Sequence, residues 1–154
     1  MTGDAEAFTR FVGEIEPRLR RAFVAAYGTE RGRDATAEAL AWAWEHWDRV
    51  ATMHNPAGYL WRVGQSRSRL RRREPVVLPE PAADDVLVEP ALLPALRALT
   101  AHQRAAVVLV HGYGWQLKEV AELMDVRVTT VQNHVERAMA KLRTALAVEA
   151  DLDA

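Results

Sequence analysis

The sequence predicts an all-α fold made of two small helical domains joined by an acidic, proline-rich linker. Three observations carry that prediction. Apolar residues recur at steps of three and four through most of the chain, and no stretch alternates apolar and polar residues as a half-buried strand would. A segment rich in acids and prolines separates two mildly basic parts.

With 154 residues the chain has room for one ordinary domain or two small ones. Hydrophobic residues make up 49% and charged residues 27%, enough for a core and too mixed a pattern for a disordered chain. The net charge of -1 excludes a uniformly basic nucleic-acid coat, yet the charges are ordered along the chain. Residues 1–73 carry +4, residues 74–96 carry -5 with no basic residue and five of the seven prolines, residues 97–146 carry +3, and the remainder carries -3. Proline lacks the N–H that helix interiors and central strands need, so this stretch reads as a semi-extended connector. The predicted boundaries are a domain at 1–73, a linker at 74–91, a second domain at 92–146 and an acidic tail at 147–154.

In the first part, Phe8, Phe11, Val12, Ile15, Leu19, Phe23 and Ala26 fall on one helical face, and Tyr27-Gly28 ends that helix. A second helix is expected from Asp34 as N-cap, with Leu40, Trp44 and Trp47 on its core stripe and Trp42 on another. Residues 50–54 form a loop. Asn55 then caps a third helix with Pro56 in its first position and Tyr59, Leu60 and Val63 turned inward.

Beyond the linker, Leu92, Leu93, Leu96 and Leu99 predict a short helix, and Thr100 with Gln103 forms a capping box for the next, which runs to Gly112. The stretch WQLKEVAELM predicts a helix with Val120, Leu123 and Met124 inward, followed by a turn at DVRV. Thr129 and Gln132 suggest a second capping box opening the last helix, where Val131, Val135, Ala138 and Leu142 cluster within about 40° of one another at about 100° per residue.

Two helices separated by about four residues, the second followed by a basic amphipathic stretch, form the pattern of a helix-turn-helix. The polar face of the second carries Thr129, Thr130, Asn133, Glu136, Arg137 and Ala140, flanked by Gln132, His134 and Lys141. Asn and Gln can bond an adenine edge, Arg a guanine or phosphate, and Thr a phosphate or thymine methyl. In the first part, six arginines fall between Arg62 and Arg73 with no acid among them, just after Tyr59 and Trp61. Arginines track phosphates and aromatic rings stack on exposed bases.

With both ends in view, the sequence resembles the extracytoplasmic-function (group 4) sigma factors of bacterial RNA polymerase, in the sigma-70 family. The resemblance lies in LPALRALTAHQRAAVVLVHGYGWQLKEVAELMDVRVTTVQNHVERAMAKLRTAL and, in the first part, in DATAEALAWAWEHWDRV followed by NPAGYLWRV. It implies a sigma-4 domain reading the minus-35 element through Arg127, Thr129, Thr130, Gln132, Asn133, His134, Arg137 and Lys141. It also implies a sigma-2 domain in which Met53, His54 and Asn55 receive a base flipped from the minus-10 element. Tyr59, Trp61, Arg62, Arg67, Arg69, Arg71, Arg72 and Arg73 would hold the strand. Asp34, Glu38, Trp42 and Glu45 would meet the polymerase. The implied partners are promoter DNA, the core enzyme through its β′ clamp helices and β flap, and an anti-sigma factor.

Other classes fit less well. An autonomous helix-turn-helix regulator, the alternative reading, must bind its site unaided, usually by pairing two half-sites, and the near-zero net charge implies feeble unaided DNA binding because phosphate neutralisation supplies most of the non-specific affinity. The five histidines show no HExxH pair and no glycine-rich phosphate loop follows a strand, so no enzyme, metal site or cofactor is expected. No run reaches the roughly 18 apolar residues of a membrane span, and the start lacks a signal-peptide pattern. With no cysteine, the chain is expected to be cytoplasmic.

Overall fold

The computed structural model describes residues 2–68 and 90–153, and within them every regular element is helical. In chain order these are α1 (Thr2–Tyr27), α2 (Thr29–Glu45), the short α3 (Trp47–Val50), α4 (Pro56–Ser68), α5 (Leu92–Arg97), α6 (Ala101–Val107), α7 (Leu117–Met124) and α8 (Val128–Asp153). A π-helical turn at Val108–Gly112 continues α6.

Gly28 separates α1 from α2 at φ 90, a left-handed conformation that costs glycine little. Because the chain turns there, α2 begins at Thr29, and Asp34 lies inside the helix rather than capping it. The two helices pack with their backbones close together. A Cβ on Gly32 would sit 2.5 Å from the Val24 Cα, so only glycine permits this approach.

Asn55 does cap α4, accepting a hydrogen bond from the Gly58 N–H at 3.1 Å. The aromatic rings of α4, however, exchange the places the sequence suggests. Trp61 is 1% exposed and stacks on Phe23 at 4.7 Å, whereas Tyr59 is 37% exposed. The expected strand contact by Trp61 and the expected inward position of Tyr59 are both corrected. The two residues lie about 200° apart on a helix, so α4 can bury only one of them, and the space beside Phe23 takes the indole. Trp44, assigned to the core by its spacing, is 49% exposed and covers Phe8 with one face.

The Thr100–Gln103 capping box forms, with both hydrogen bonds present. At the end of α7, Asp125 takes the left-handed conformation at φ 55 and the Val126 N–H returns to the Ala121 carbonyl. This tight stop places α8 three residues later. Since α8 already starts at Val128, with the Thr130 and Val131 N–H groups bonded to the Arg127 carbonyl, the expected Thr129–Gln132 capping box does not open it.

The two halves share a core. Leu19, Phe23, Leu60 and Trp61 from the first half are continuous with Ala105, Leu109, Val120, Leu123 and Val131 from the second. A smaller cluster of Ala95, Leu99, Val107, Ala138 and Leu142 belongs to the second half alone. Arg104, 3% exposed, crosses the junction. Its guanidinium donates to the Ala25 carbonyl at 2.8 Å and to that of Ala26 on α1, and to the Leu99 carbonyl at 2.8 Å at the end of α5. These are helix-end carbonyls with no partner inside their own helix, and a buried guanidinium supplies them with donors.

Candidate nucleic-acid interface

α7 and α8, separated by Asp125–Arg127, form the helix-turn-helix. Val131, Ala138 and Leu142 are buried, which fixes the rotation of α8 and turns the opposite face outward. On that face Thr129, Gln132, Asn133, Glu136 and Arg137 are exposed and Thr130 is half-buried, and Arg127 is exposed in the turn just before the helix. The sequence pattern identifies this face because one buried stripe determines what every other residue on a straight helix does.

Two flanking residues have intramolecular engagements that the pattern does not reveal. Lys141 donates to the Gln103 Oε1 at 2.9 Å. The half-buried His134 ring lies 5.7 Å from that of His102, whose Nε2 is 2.9 Å from the Gln65 Nε2 on α4. Burial pulls the His102 pKa below its ordinary value. His134 is lowered first by burial, then by His102 and by Arg137. Val126 and Val128 at the start of α8 are exposed apolar residues that the sequence reading placed in a turn and left without a role.

In the first half, Met53 packs on the core, His54 is exposed, and Asn55 is half-buried. The Asn55 amide donates from Nδ2 to the Glu122 carbonyl of α7 at 2.7 Å. Arg62 is ion-paired with Asp125, while Arg67 is exposed further along α4. Arg69, Arg71, Arg72 and Arg73 lie outside the described residues, as does the linker up to residue 89.

Asp34, Glu38 and Glu45 all reach solvent on α2. Trp42 does not share their environment. Its ring stacks on His46 at 4.1 Å and lies 5.1 Å from that of Tyr59, with the Arg49 guanidinium over both at 5.8 and 6.0 Å. A residue expected at the polymerase and one expected at DNA therefore sit in one cation–π cluster. Arg49 and His46 were absent from the sequence-based candidates. Their signal was available, since His46 follows Trp42 by one helical turn.

Among the described residues no group of side chains is arranged to hold a metal ion, and no helix is long and apolar enough to cross a membrane. The fold and the exposed face of α8 define a helix-turn-helix protein of the DNA-binding class, with a second helical half packed against the motif. Residues 91–142 match the family model for sigma-70, region 4. The RNA polymerase sigma-E factor of Streptomyces coelicolor is 33% identical over 133 residues, spanning 79% of this chain and 75% of that one. The sigma-E factor of Streptomyces avermitilis is 32% identical over the same length, 79% of this chain and 74% of its own. A fold likeness extends to the sigma factor RpoE of Bartonella quintana, solved in complex with the anti-sigma factor NepR. It has a TM-score of 0.67 and 24% identity, covering 93% of this chain and 98% of that one. The chain belongs to the extracytoplasmic-function group of the sigma-70 family, the RNA polymerase sigma factors.

Proposed function

We propose that this chain binds core RNA polymerase and directs it to a defined set of promoters, with the two promoter contacts divided between its halves. The exposed polar face of α8 supports the reading most directly. In this assignment Asn133 and Gln132 bond base edges of the minus-35 duplex, Arg127 and Arg137 take a guanine edge or phosphates, and Thr129 and Thr130 take phosphates. Val126 and Val128, both exposed, are assigned to thymine methyls at the groove. The loop at Met53, His54 and Asn55 receives an unpaired base of the minus-10 element, with Tyr59, Arg62 and Arg67 along the strand.

The outward face of α2, acidic through Asp34, Glu38 and Glu45, is assigned to the β′ clamp helices. Trp44 stands on the same helix with an exposed apolar surface, and it suits a protein partner better than the stacked Trp42 does. The NepR complex of the similar RpoE supports an anti-sigma protein as a further class of partner. Such a subunit acts in the cytoplasm, where polymerase is, and contributes binding rather than catalysis.

Run-off transcription with purified core polymerase and a fragmented genomic template tests the proposal. Discrete starts that appear only when the protein is added are the expected result. Their absence, together with tight salt-sensitive binding of the isolated protein to duplex DNA, would overturn it in favour of an autonomous regulator. Arg137→Ala should weaken use of those promoters by about 1–3 kcal/mol in binding while leaving thermal unfolding unchanged, because the side chain is exposed. A large loss of thermal stability in that variant would place Arg137 in the fold instead.

A further inference from the structure

A cavity of about 250 Å³ lies where α1, α5 and the π-helical turn meet, and none of its lining residues belongs to the assigned promoter or polymerase contacts. Val24, Leu93, Leu96 and Val108 give it an apolar wall, while Arg21 and Tyr113, both exposed, stand at its mouth. No acidic residue lines it among the described residues.

The π-helical turn shapes this wall. The Tyr113 N–H bonds the Val108 carbonyl, five residues back, at 3.0 Å, which widens the turn by one residue and brings both side chains to the same cavity. Gly112 between them keeps the space open. A Cβ there would meet only the Val108 Cγ1, at 3.7 Å, an ordinary contact, and its φ is not left-handed, so the backbone does not demand glycine.

Arg21 supplies the charge at the mouth. Its neighbours on α1 are paired, Arg18 with Glu119 at 3.7 Å and Arg20 with Glu16 at 2.7 Å. Among the described residues no carboxylate pairs with Arg21, whose guanidinium lies 5.1 Å from the centre of the Tyr113 ring. Stacking occupies the flat face of a guanidinium and leaves its edge N–H groups, the fork that fits a carboxylate, for another partner. A second cation stands behind the wall. Arg104 donates to the Ala25 carbonyl at 2.8 Å and to the Leu96 carbonyl at 3.3 Å, and both of those residues line the cavity. An apolar volume beside two cations and no acid favours an occupant with an apolar body and one negative charge.

The geometry points to a binding site for a small amphipathic carboxylate, its chain against Val24, Leu93, Leu96 and Val108 and its carboxylate on the Arg21 guanidinium. At about 30 Å³ per heavy atom, the share of one water in the liquid, the cavity takes an aliphatic acid of about eight carbons. The site is independent of the promoter assignments.

Equilibrium dialysis of the full chain against radiolabelled octanoate tests it. One equivalent should bind saturably, and octanol, which keeps the chain and loses the charge, should compete about tenfold more weakly. Arg21→Gln should weaken octanoate by about tenfold and bring acid and alcohol together, and Gly112→Leu, which fills the cavity, should abolish binding. Both positions are exposed, so the urea unfolding midpoint without ligand should stay where it is in the unaltered chain. No saturable binding up to about 1 mM would overturn the site, as would octanol competing as well as octanoate. Both results are read on the unaltered chain, whatever the variants do. Octanoate binding unchanged in Gly112→Leu would place the acid elsewhere and overturn the site as well.

Discussion

Trp61 and Tyr59 occupy opposite sides of α4 and predict opposite consequences. Trp61→Ala empties space beside Phe23 and Tyr27 and should lower stability by about 3–5 kcal/mol, read as an earlier unfolding midpoint in urea. Tyr59→Ala removes a ring with 37% of its surface already in solvent and should cost much less in the same measurement. Equal losses would contradict the orientation of α4. The sequence shows two aromatic residues near a run of arginines and does not rank them. Which ring is buried depends on Phe23, 38 positions earlier in the chain, and no local pattern contains that information. Gly64 is decided by the same neighbour, since a Cβ there would lie 2.2 Å from the Phe23 Cζ.

At the scale of elements, the helices themselves are legible because each carries a local cause: an apolar stripe, the Asn55-Pro56 start, the Thr100–Gln103 box. Starts set by a turn are less legible. α2 and α8 both begin earlier than their nearest capping residues suggest, because Gly28 and Asp125 adopt positive φ and fix where the chain re-enters a helix. The junction of α4, α6 and α8 adds a pH dependence. His102 and His134 have pKa values lowered in the fold, so their neutral forms are favoured there, and the unfolded or separated chain binds protons more readily. The stability they contribute is fully present above the ordinary histidine value of 6.5 and is lost as pH falls below it, toward the lowered values. Of the charged groups on these helices, the exposed Glu136 on α8 has the opposite sign, yet burial, His102 and Arg137 set the direction at His134. Arg137 bears on His134, Arg62 is held by Asp125, Arg104 by carbonyls and Lys141 by Gln103. The melting temperature should therefore fall from about pH 7.5 to about pH 5.5, and a His102→Gln/His134→Gln chain should lose less over the same interval.

For the whole molecule, the junction between halves is the feature with the largest consequence. Arg104 donates to helix ends from both sides, and its guanidinium is desolvated enough to pull its pKa below the ordinary value. Arg104→Ala leaves the Ala25, Ala26 and Leu99 carbonyls without these donors in a buried place. The expected loss is about 3 kcal/mol or more, measured by denaturant unfolding, and it should fall on the association of the halves. Hydrogen exchange would show it as earlier opening at the end of α1 and at α6. Protection unchanged at those segments would mean that the guanidinium is dispensable.

The sequence by itself determined the all-α class, the helix-turn-helix and the face of α8 available to DNA. Each is a matter of local periodicity and of residue types a few positions apart, which the chain encodes wherever it folds. The tertiary structure alone decided that Trp61 is core and Tyr59 surface, that Trp42 stacks with Tyr59 and Arg49, and that Asn55 and Arg62 are taken up by α7 and its turn. Those outcomes depend on close approach between residues tens of positions apart, such as Asn55 with Glu122. They are set by which surfaces exclude water together and by the missing side chain at Gly58, neither of which leaves a periodic trace in the sequence.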